Sequence, residues 1–250
     1  MPQRLILTKS DCYYSLRLFE KYGVRAAFTN RKYDMGFERG DSAPALGRKD
    51  AILDMKINWR GLVCPCQVHG DSVLVAGKKH RGMGAFERKN AIAGTDALVT
   101  RETDIPLGIL TADCLPVFLF DPVSRAIGLS HAGWKGIRQS IVSKTIKKMM
   151  DNFGSEPGCL IAALGPSIRS CCYEVGPDFK DYFPGSVAEN SGKFYFDMNK
   201  AASDELKACG VPDENIHESN ICTCCMKSEF FSYRREKGSA GRSLSVMEIL

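Results

Sequence analysis

The chain has 250 residues, of which 44% are hydrophobic and 25% are charged, proportions typical of a globular protein with a substantial buried core. Its 34 basic and 29 acidic residues give a formal charge of +5 and are spread along the sequence, which excludes the concentrated basic stripe of a nucleic-acid binder. Apolar runs fall far short of the roughly 20 residues that cross a bilayer. From the charge distribution and the short apolar runs together, we expect neither nucleic acid nor membrane as a partner.

The N-terminal segment and the cysteine content favour a cytoplasmic protein. Only Leu5, Ile6 and Leu7 form an apolar run before polar residues return, too few for the core of a signal peptide. The eleven cysteines are an odd number in a large chain, unlike the disulfide framework of a small secreted domain. We therefore expect mostly free thiols in a reducing compartment.

Strand-like segments dominate the first two thirds of the chain. Residues 30–50 lack periodicity and are predicted to form a long loop. The predicted strands that follow span residues 61–68, 72–76, 97–100, 106–110, 115–120 and 126–130. Short turns separate them, so hairpin-like corners are expected.

Helices and strands alternate in the last third. Apolar residues at helical spacing predict a helix over residues 135–152 that ends at Gly154. A second helix is predicted over residues 198–209, with Asp197 as its N-cap and Gly210 as its terminator. Strands are predicted over residues 160–164, 216–219 and 243–249. Without a dividing linker, the pattern predicts one α+β (mixed α/β) domain over residues 1–250, with mixed β-sheets and flanking helices.

Three potential metal ligands lie beside turn-forming residues or at strand ends. They are His69 in QVHG, Cys114 in TADCLP and His131 in HAGWKG. Two imidazoles and one thiolate leave the fourth tetrahedral position of Zn²⁺ for water, the arrangement of a catalytic site. Their separations of 45 and 17 residues match no strict spacing rule, and a single histidine is more often structural than a ligand. One such site does not assemble the several coppers of an oxidase, so zinc is favoured over copper.

Six segments, in chain order, resemble those of one bacterial family. They are QVHGDSV, TDALVT, TADCLPVFLFDP, HAGWKG, GPSIRSCCYEVG and FFSYRREKGSAGRSLSV. The chain is similar over residues 60–250 to the multicopper-oxidase-like or laccase-domain family, also called the peptidoglycan editing factor or purine nucleoside phosphorylase family. The resemblance implies zinc held by His69, Cys114 and His131. It also implies phosphorolysis of adenosine, inosine, guanosine and methylthioadenosine, together with deamination of adenosine.

The chemistry of deamination suggests a catalytic set of Asp113, Cys114 and His131. Zinc lowers the pKa of bound water toward about 7, and the hydroxide so formed could attack C6 of adenine. Asp113, beside the cysteine ligand, is predicted either to carry protons or to orient a ligand histidine.

Phosphorolysis instead requires fixed cations that hold phosphate. Arg31, Lys135 and Arg234 are the candidates, and an ordinary surface charge is the alternative for each. The segment from Lys32 to Arg39 departs from the glycine-rich sequence that usually follows Arg31 in the family, so the nucleoside preference stays open. The oligomeric state stays open as well.

Other functions are consistent with the same residues. One is an amidohydrolase that edits peptidoglycan precursors, and another is a non-enzymatic zinc-stabilised or redox-sensing interaction protein. Among the remaining cysteines, Cys171 and Cys172 are expected to pack beneath the site, and a structural zinc at residues 222–225 is a minor alternative. Cys12, Cys159 and Cys209 are expected to be buried small hydrophobic residues.

Overall fold

The computed structural model describes residues 2–37 and 43–250. The strands in these ranges are β1 Gln3–Arg4, β2 Leu7–Lys9, β3 Tyr13–Leu16, β4 Val24–Thr29, β5 Pro65–Cys66, β6 Val73–Val75, β7 Ile92–Ala93, β8 Ala97–Thr100, β9 Leu107–Thr111, β10 Leu115–Asp121, β11 Ala126–Ala132, β12 Ile161–Leu164, β13 Glu174–Val175, β14 Val187–Asn190, β15 Lys193–Phe196, β16 Ile216–Glu218 and β17 Ser243–Ile249. The α-helices are α1 Ala43–Asp54, α2 Trp134–Arg138, α3 Ile141–Phe153, α4 Phe179–Tyr182, α5 Met198–Ala208 and α6 Tyr233–Glu236.

Two large sheets form the centre of the molecule. The first has the strand order β1-β16-β12-β10-β11-β8-β6 and mixes parallel with antiparallel pairs. The second has the order β2-β3-β4-β17-β9 and is antiparallel. Smaller sheets pair β13, β15 and β14, and β5 with β7. The architecture is therefore mixed α/β in one domain, as the sequence predicts.

The two sheets pack face to face, and helices cover their outer faces. In β10, Phe118 and Phe120 are buried in the layer shared with the second sheet, while Val117 and Leu119 face the helical side. This alternation follows from the two-residue period of a strand. The buried face of α3, including Ile146 and Met149, packs on that helical side. Truncating a buried phenylalanine of this kind to alanine typically costs about 3–5 kcal/mol.

Helix α1 covers the opposite side of the molecule, where the sequence predicts a long loop over residues 30–50. That prediction is wrong from Ala43 onward, because Ala51 and Ile52 bury their side chains against Ala27 and Val246 of the second sheet. Within the predicted loop, residues 38–42 lie outside the described residues.

The predicted helix over residues 135–152 is two helices. Ser140 has a φ of 61°, a left-handed conformation that interrupts the helix between α2 and α3. Gly154 ends α3 as predicted, with a φ of 69°. Asp197 caps α5 as predicted, since its side chain accepts a hydrogen bond from the Lys200 backbone N–H at 3.0 Å.

The strand predictions differ mainly before the first candidate ligand. Instead of one strand over residues 61–68, the chain forms a single bridge between Val63 and Leu107 and then the short strand β5. The other predicted strands agree with β6, β8 to β12, β16 and β17 to within two residues at each end. No helix in the described part of the chain combines the length and apolar character needed to cross a membrane.

Candidate metal centre

The fold brings His69, Cys114 and His131 together, as the sequence predicts. Their ligand atoms all lie within 4.8 Å of one another, and the two imidazole rings are 4.9 Å apart at 75°. His131 belongs to β11, Cys114 directly precedes β10, and His69 lies in the turn before β6. Each ligand therefore sits at or near the end of a strand, where backbone pairing fixes its position.

The pairing of β10 with β11 places Cys114 beside the end of β11. Leu115 lies opposite Ala132 and Pro116 opposite His131 in this antiparallel pair. The next residue along, Gly133, leaves room for the ligands. A Cβ at that position would lie 3.1 Å from Cys114 Sγ and 3.4 Å from His69 Cδ2.

The turn that carries His69 is fixed to the second sheet by a side-chain amide. Gln67 donates to the Leu110 carbonyl and accepts from the Leu110 N–H, both at 2.8 Å. His69 itself has a φ of 62°, and Asp113, beside Cys114, has a φ of 85°. Left-handed conformations are uncommon outside glycine, and both occur directly at the candidate centre.

Asp96 holds two of the ligands in place, and the sequence reasoning missed it. Its fully buried carboxylate accepts backbone N–H hydrogen bonds from Val68, His69 and Gly70 at 2.9–3.1 Å. It also contacts His131 Nδ1 at 2.9 Å. Asp96 belongs to the TDALVT segment, one of the six on which the family resemblance rests. The segment can be recognised from the sequence, but the role of Asp96 cannot.

The site is strongly polarised. Burial raises the pKa of the Cys114 thiol, but the His131 and His69 imidazoles outweigh it and lower that pKa to about 6. Burial lowers the pKa of His131, but Cys114 and Asp96 raise it to about 9. Burial also raises the pKa of Asp96, and its hydrogen bonds with His131 and the backbone bring that pKa below the usual value. The charged forms of all three groups are thus mutually stabilised.

The donor set fits a divalent metal. Because Nδ1 of His131 contacts Asp96, Nε2 is the ring nitrogen that could bind a metal, an arrangement typical of metal-binding histidines. One thiolate and two imidazoles supply three ligands of the kinds that Zn²⁺ uses in open catalytic sites.

Asp113 is hydrogen-bonded to the C-terminal segment. Its carboxylate accepts hydrogen bonds from the Thr223 hydroxyl at 2.6 Å, the Ser232 hydroxyl at 3.0 Å and the Arg234 backbone N–H at 2.7 Å. These bonds fix residues 223–234 at the edge of the site, and they put Arg234 beside the cleft. The carboxylate that contacts His131 is Asp96.

The candidate metal ligands line a cleft of about 1160 Å³. Aromatic and cationic side chains share its lining, namely Phe37, Trp134, Tyr173, Tyr233, Arg88, Lys135, Arg234, Lys237 and Arg242. Two of the three predicted phosphate ligands, Lys135 and Arg234, are among them. Arg31 is not among the lining residues within the described ranges, and it forms an ion pair with Glu236 at 3.1 Å.

The chain matches a family of known proteins over most of its length. Residues 18–250 match the family model described as "Multi-copper polyphenol oxidoreductase laccase". A purine nucleoside phosphorylase, YlmD of Geobacillus stearothermophilus, is 33% identical over an alignment of 246 positions that covers 92% of this chain and 88% of that protein. A protein named adenosine deaminase RL5, from an unknown prokaryotic organism, is 35% identical over an alignment of 207 positions that covers 79% of each chain.

Solved structures share the fold. The crystal structure of YlmD from Geobacillus stearothermophilus superposes with a TM-score of 0.92 at 28% identity, covering 99% of each chain. A hypothetical protein YfiH from Bacillus licheniformis also gives a TM-score of 0.92, at 27% identity over 98% of this chain and 99% of that one.

Proposed function

Since the chain belongs to the family described as multi-copper polyphenol oxidoreductase laccase, whose members include purine nucleoside phosphorylases, we propose that it is a zinc-dependent purine nucleoside phosphorylase. The observation that carries this proposal is the His69–Cys114–His131 group in the wall of a cleft that aromatic rings and cations line. We propose adenosine, inosine, guanosine and methylthioadenosine as substrates. The relative named adenosine deaminase supports adenosine deamination as a second activity.

The cleft offers aromatic rings and cations for the two parts of the reaction. Trp134, Tyr173 and Tyr233 line it, and aromatic rings of this kind stack on planar bases. Lys135 and Arg234 are the cations that we assign to phosphate, whose charge they offset through charge-assisted hydrogen bonds. The Arg234 guanidinium is held by the Glu174 carbonyl at 2.9 Å and lies over the Tyr173 ring, 5.2 Å from its centroid. A cation fixed in this way needs little reorganisation when phosphate binds.

Phosphate binding by Arg31 and proton transfer by Asp113 are also part of this proposal. Arg31 would reach phosphate only after its ion pair with Glu236 opens. Asp113 lines the cleft beside Cys114, and a proton-transfer role requires it to release one of its three hydrogen bonds. His69, Cys114 and His131 would hold the metal, and Zn²⁺ when bound supplies a Lewis acid that brings the pKa of water near 7.

We place this activity in the cytoplasm. The eleven cysteines, all within the described residues, are free thiols, which supports a reducing compartment. Zinc is proposed rather than copper because the centre offers one set of three ligands of the types that catalytic zinc uses.

The test is product analysis of zinc-loaded protein with adenosine, inosine and methylthioadenosine, with and without phosphate. We expect phosphate-dependent release of free base and ribose 1-phosphate (methylthioribose 1-phosphate from methylthioadenosine), lost in His69→Ala and retained in His217→Ala. His217 is a matched control because it lies on β16, outside the metal group. The same product analysis with copper-loaded protein tests which of the two metals supports turnover.

Absence of turnover with any nucleoside, by protein shown to hold zinc, would overturn the proposal. The next substrates to assay would then be peptidoglycan precursors, for the amidohydrolase alternative. Phosphate-independent conversion of adenosine to inosine alone would leave deamination as the activity.

A further inference from the structure

A second group of cysteines lies away from the cleft metal centre. The sulfurs of Cys171, Cys172, Cys222 and Cys225 all lie within 4.8 Å of one another. The Sγ atoms of Cys172 and Cys225 are 3.3 Å apart, those of Cys171 and Cys225 are 3.6 Å apart, and those of the neighbours Cys171 and Cys172 are 3.8 Å apart. Four thiols from two loops, which are about 50 residues apart in the sequence, thus lie together in the fold.

These separations fit metal coordination better than a disulfide. A tetrahedral zinc with Zn–S bonds of about 2.3 Å places its sulfurs about 3.8 Å apart. A disulfide bond is about 2.05 Å long and joins only two of the four sulfurs. Tetrahedral coordination by four sulfurs is diagnostic of zinc or iron. We propose that Cys171, Cys172, Cys222 and Cys225 bind a structural Zn²⁺.

The local backbone supports this assignment. Cys222 and Cys225 are separated by two residues, the C-x₂-C spacing of zinc sites, which the sequence reasoning overlooked. Residues 223–225 form a turn in which the Met226 N–H donates to the Cys222 carbonyl at 3.1 Å, so the two cysteines of this pair lie at the ends of one turn.

The two ligand loops are held together before any metal binds. The Thr223 N–H donates to the Ser167 carbonyl at 3.0 Å, and the Ser167 N–H donates to the Ile221 carbonyl at 3.3 Å. The Arg235 guanidinium donates to the carbonyls of Thr223 and Cys224 at 3.0 and 2.7 Å. The site is therefore largely preformed.

A metal in this position would be structural, because four protein ligands leave no open coordination position. It would join the loop that carries Tyr173 to the segment that carries Thr223. Tyr173 lines the cleft, and the Thr223 hydroxyl donates to Asp113 at 2.6 Å. The bound zinc would thus stabilise one wall of the cleft while taking no part in the reaction. Cys171 and Cys225 are exposed, so the expectation that Cys171 packs beneath the catalytic site is wrong.

Metal counting separates the two sites. The full chain, purified under reducing conditions and loaded with zinc, is analysed by inductively coupled plasma mass spectrometry after removal of loose metal. We expect about two zinc equivalents in the wild type, one in Cys225→Ser, one in Cys114→Ala, and none in the double variant. Cys159→Ser is the matched control, since Cys159 belongs to neither group, and it should keep both equivalents.

A second measurement identifies the ligands. Cobalt bound to Cys114→Ala should show the sulfur-to-metal charge transfer of a tetrathiolate, and Cys171→Ser should weaken it. Cys171 is exposed, so this variant also serves if Cys225→Ser fails to fold.

Three outcomes would overturn the proposal. The first is a wild-type protein that binds a single zinc ion and loses it in Cys114→Ala. The second is iron in place of zinc at the cysteine group. The third is a Cys172–Cys225 disulfide bond in protein purified under reducing conditions. Each leaves the proposed phosphorylase activity untouched, because that activity rests on the other metal group.

Discussion

A single buried carboxylate connects the two histidines of the candidate metal centre. Asp96 binds the backbone of the turn that carries His69 and the ring of His131 with the same two oxygens. The position of one ligand and the orientation of the other therefore depend on one side chain. Such partners raise the basicity of the ligand histidine and fix its tautomer.

We expect Asp96→Asn to weaken zinc binding by about 10- to 100-fold. The amide is neutral, and its NH₂ group would face backbone N–H donors where the carboxylate now accepts. Affinity is measured by competition with a chromophoric chelator. Asp121→Asn is the control, because Asp121 is a similarly buried carboxylate that accepts from the Val123 N–H and the Ser124 hydroxyl. Equal zinc affinity in the two variants would contradict the role of Asp96.

Gly133 is a second residue on which the metal geometry depends. The φ of −78° allows alanine, but the added Cβ would lie 3.1 Å from Cys114 Sγ. Gly133→Ala should therefore displace ligands by a few tenths of an ångström and lower turnover several-fold, given that a misplacement of about 1 Å costs about 10²-fold. Steady-state kinetics and zinc affinity check this. Gly158→Ala, where a Cβ would meet no atom within 4 Å, should leave both unchanged.

The grouping of His69, Cys114 and His131 could be predicted from the sequence, but Asp96 could not be assigned its role. Each ligand stands in a short segment whose glycines, prolines and strand ends are visible locally. The hydrogen bonds of Asp96 instead join residues 26 to 35 positions apart, and local patterns carry no information on such contacts. The same limit applies to Arg31, whose partner Glu236 lies at the other end of the chain.

At the scale of elements, one break in the backbone separates α2 from α3, the two helices that follow His131. Ser140, which is exposed, adopts a φ of 61° and makes no capping hydrogen bond with its side chain. The sequence predicts one helix here because helical periodicity records which residues are apolar and not where the backbone reverses. The sequence does not predict helix α1, because its apolar residues are too few to show a helical period. Their packing against the second sheet decides the structure there.

Ser140→Gly should stabilise the protein by about 0.5 kcal/mol. A left-handed conformation costs a non-glycine residue about 1–2 kcal/mol, and glycine offsets part of that gain by about 0.5–1 kcal/mol of lost chain entropy. Urea unfolding measures the difference. Gln139→Gly, with a φ of −96° at the wild-type position, gains nothing from glycine and should be destabilised. A loss of stability in both variants would show that Ser140 is not strained.

At the scale of the whole molecule, the candidate metal site lies at the edge of a sheet that two hydrophobic layers enclose. Strands β10 and β11 pair over seven residues, from Leu115↔Ala132 to Asp121↔Ala126. The hydrophobic layers on both faces of their sheet are independent of the metal ligands. The sequence predicts the fold class but not the order of the layers, because it shows strands and helices and not which sheet each strand joins.

This architecture predicts how the protein responds to losing the cleft metal. Bound zinc should stabilise the fold by mass action alone, about 4 kcal/mol when free zinc is a thousandfold above its dissociation constant. Cys114→Ala should lose that zinc-dependent increment and nearly all turnover, yet still unfold cooperatively as a folded protein. Thermal unfolding in buffers of defined free zinc, compared between wild type and variant, isolates the cleft site because both proteins keep the Cys171–Cys225 group. If zinc served folding instead of catalysis, as in a zinc-stabilised interaction protein, the variant would be unfolded, since structural zinc sites supply folding free energy outright.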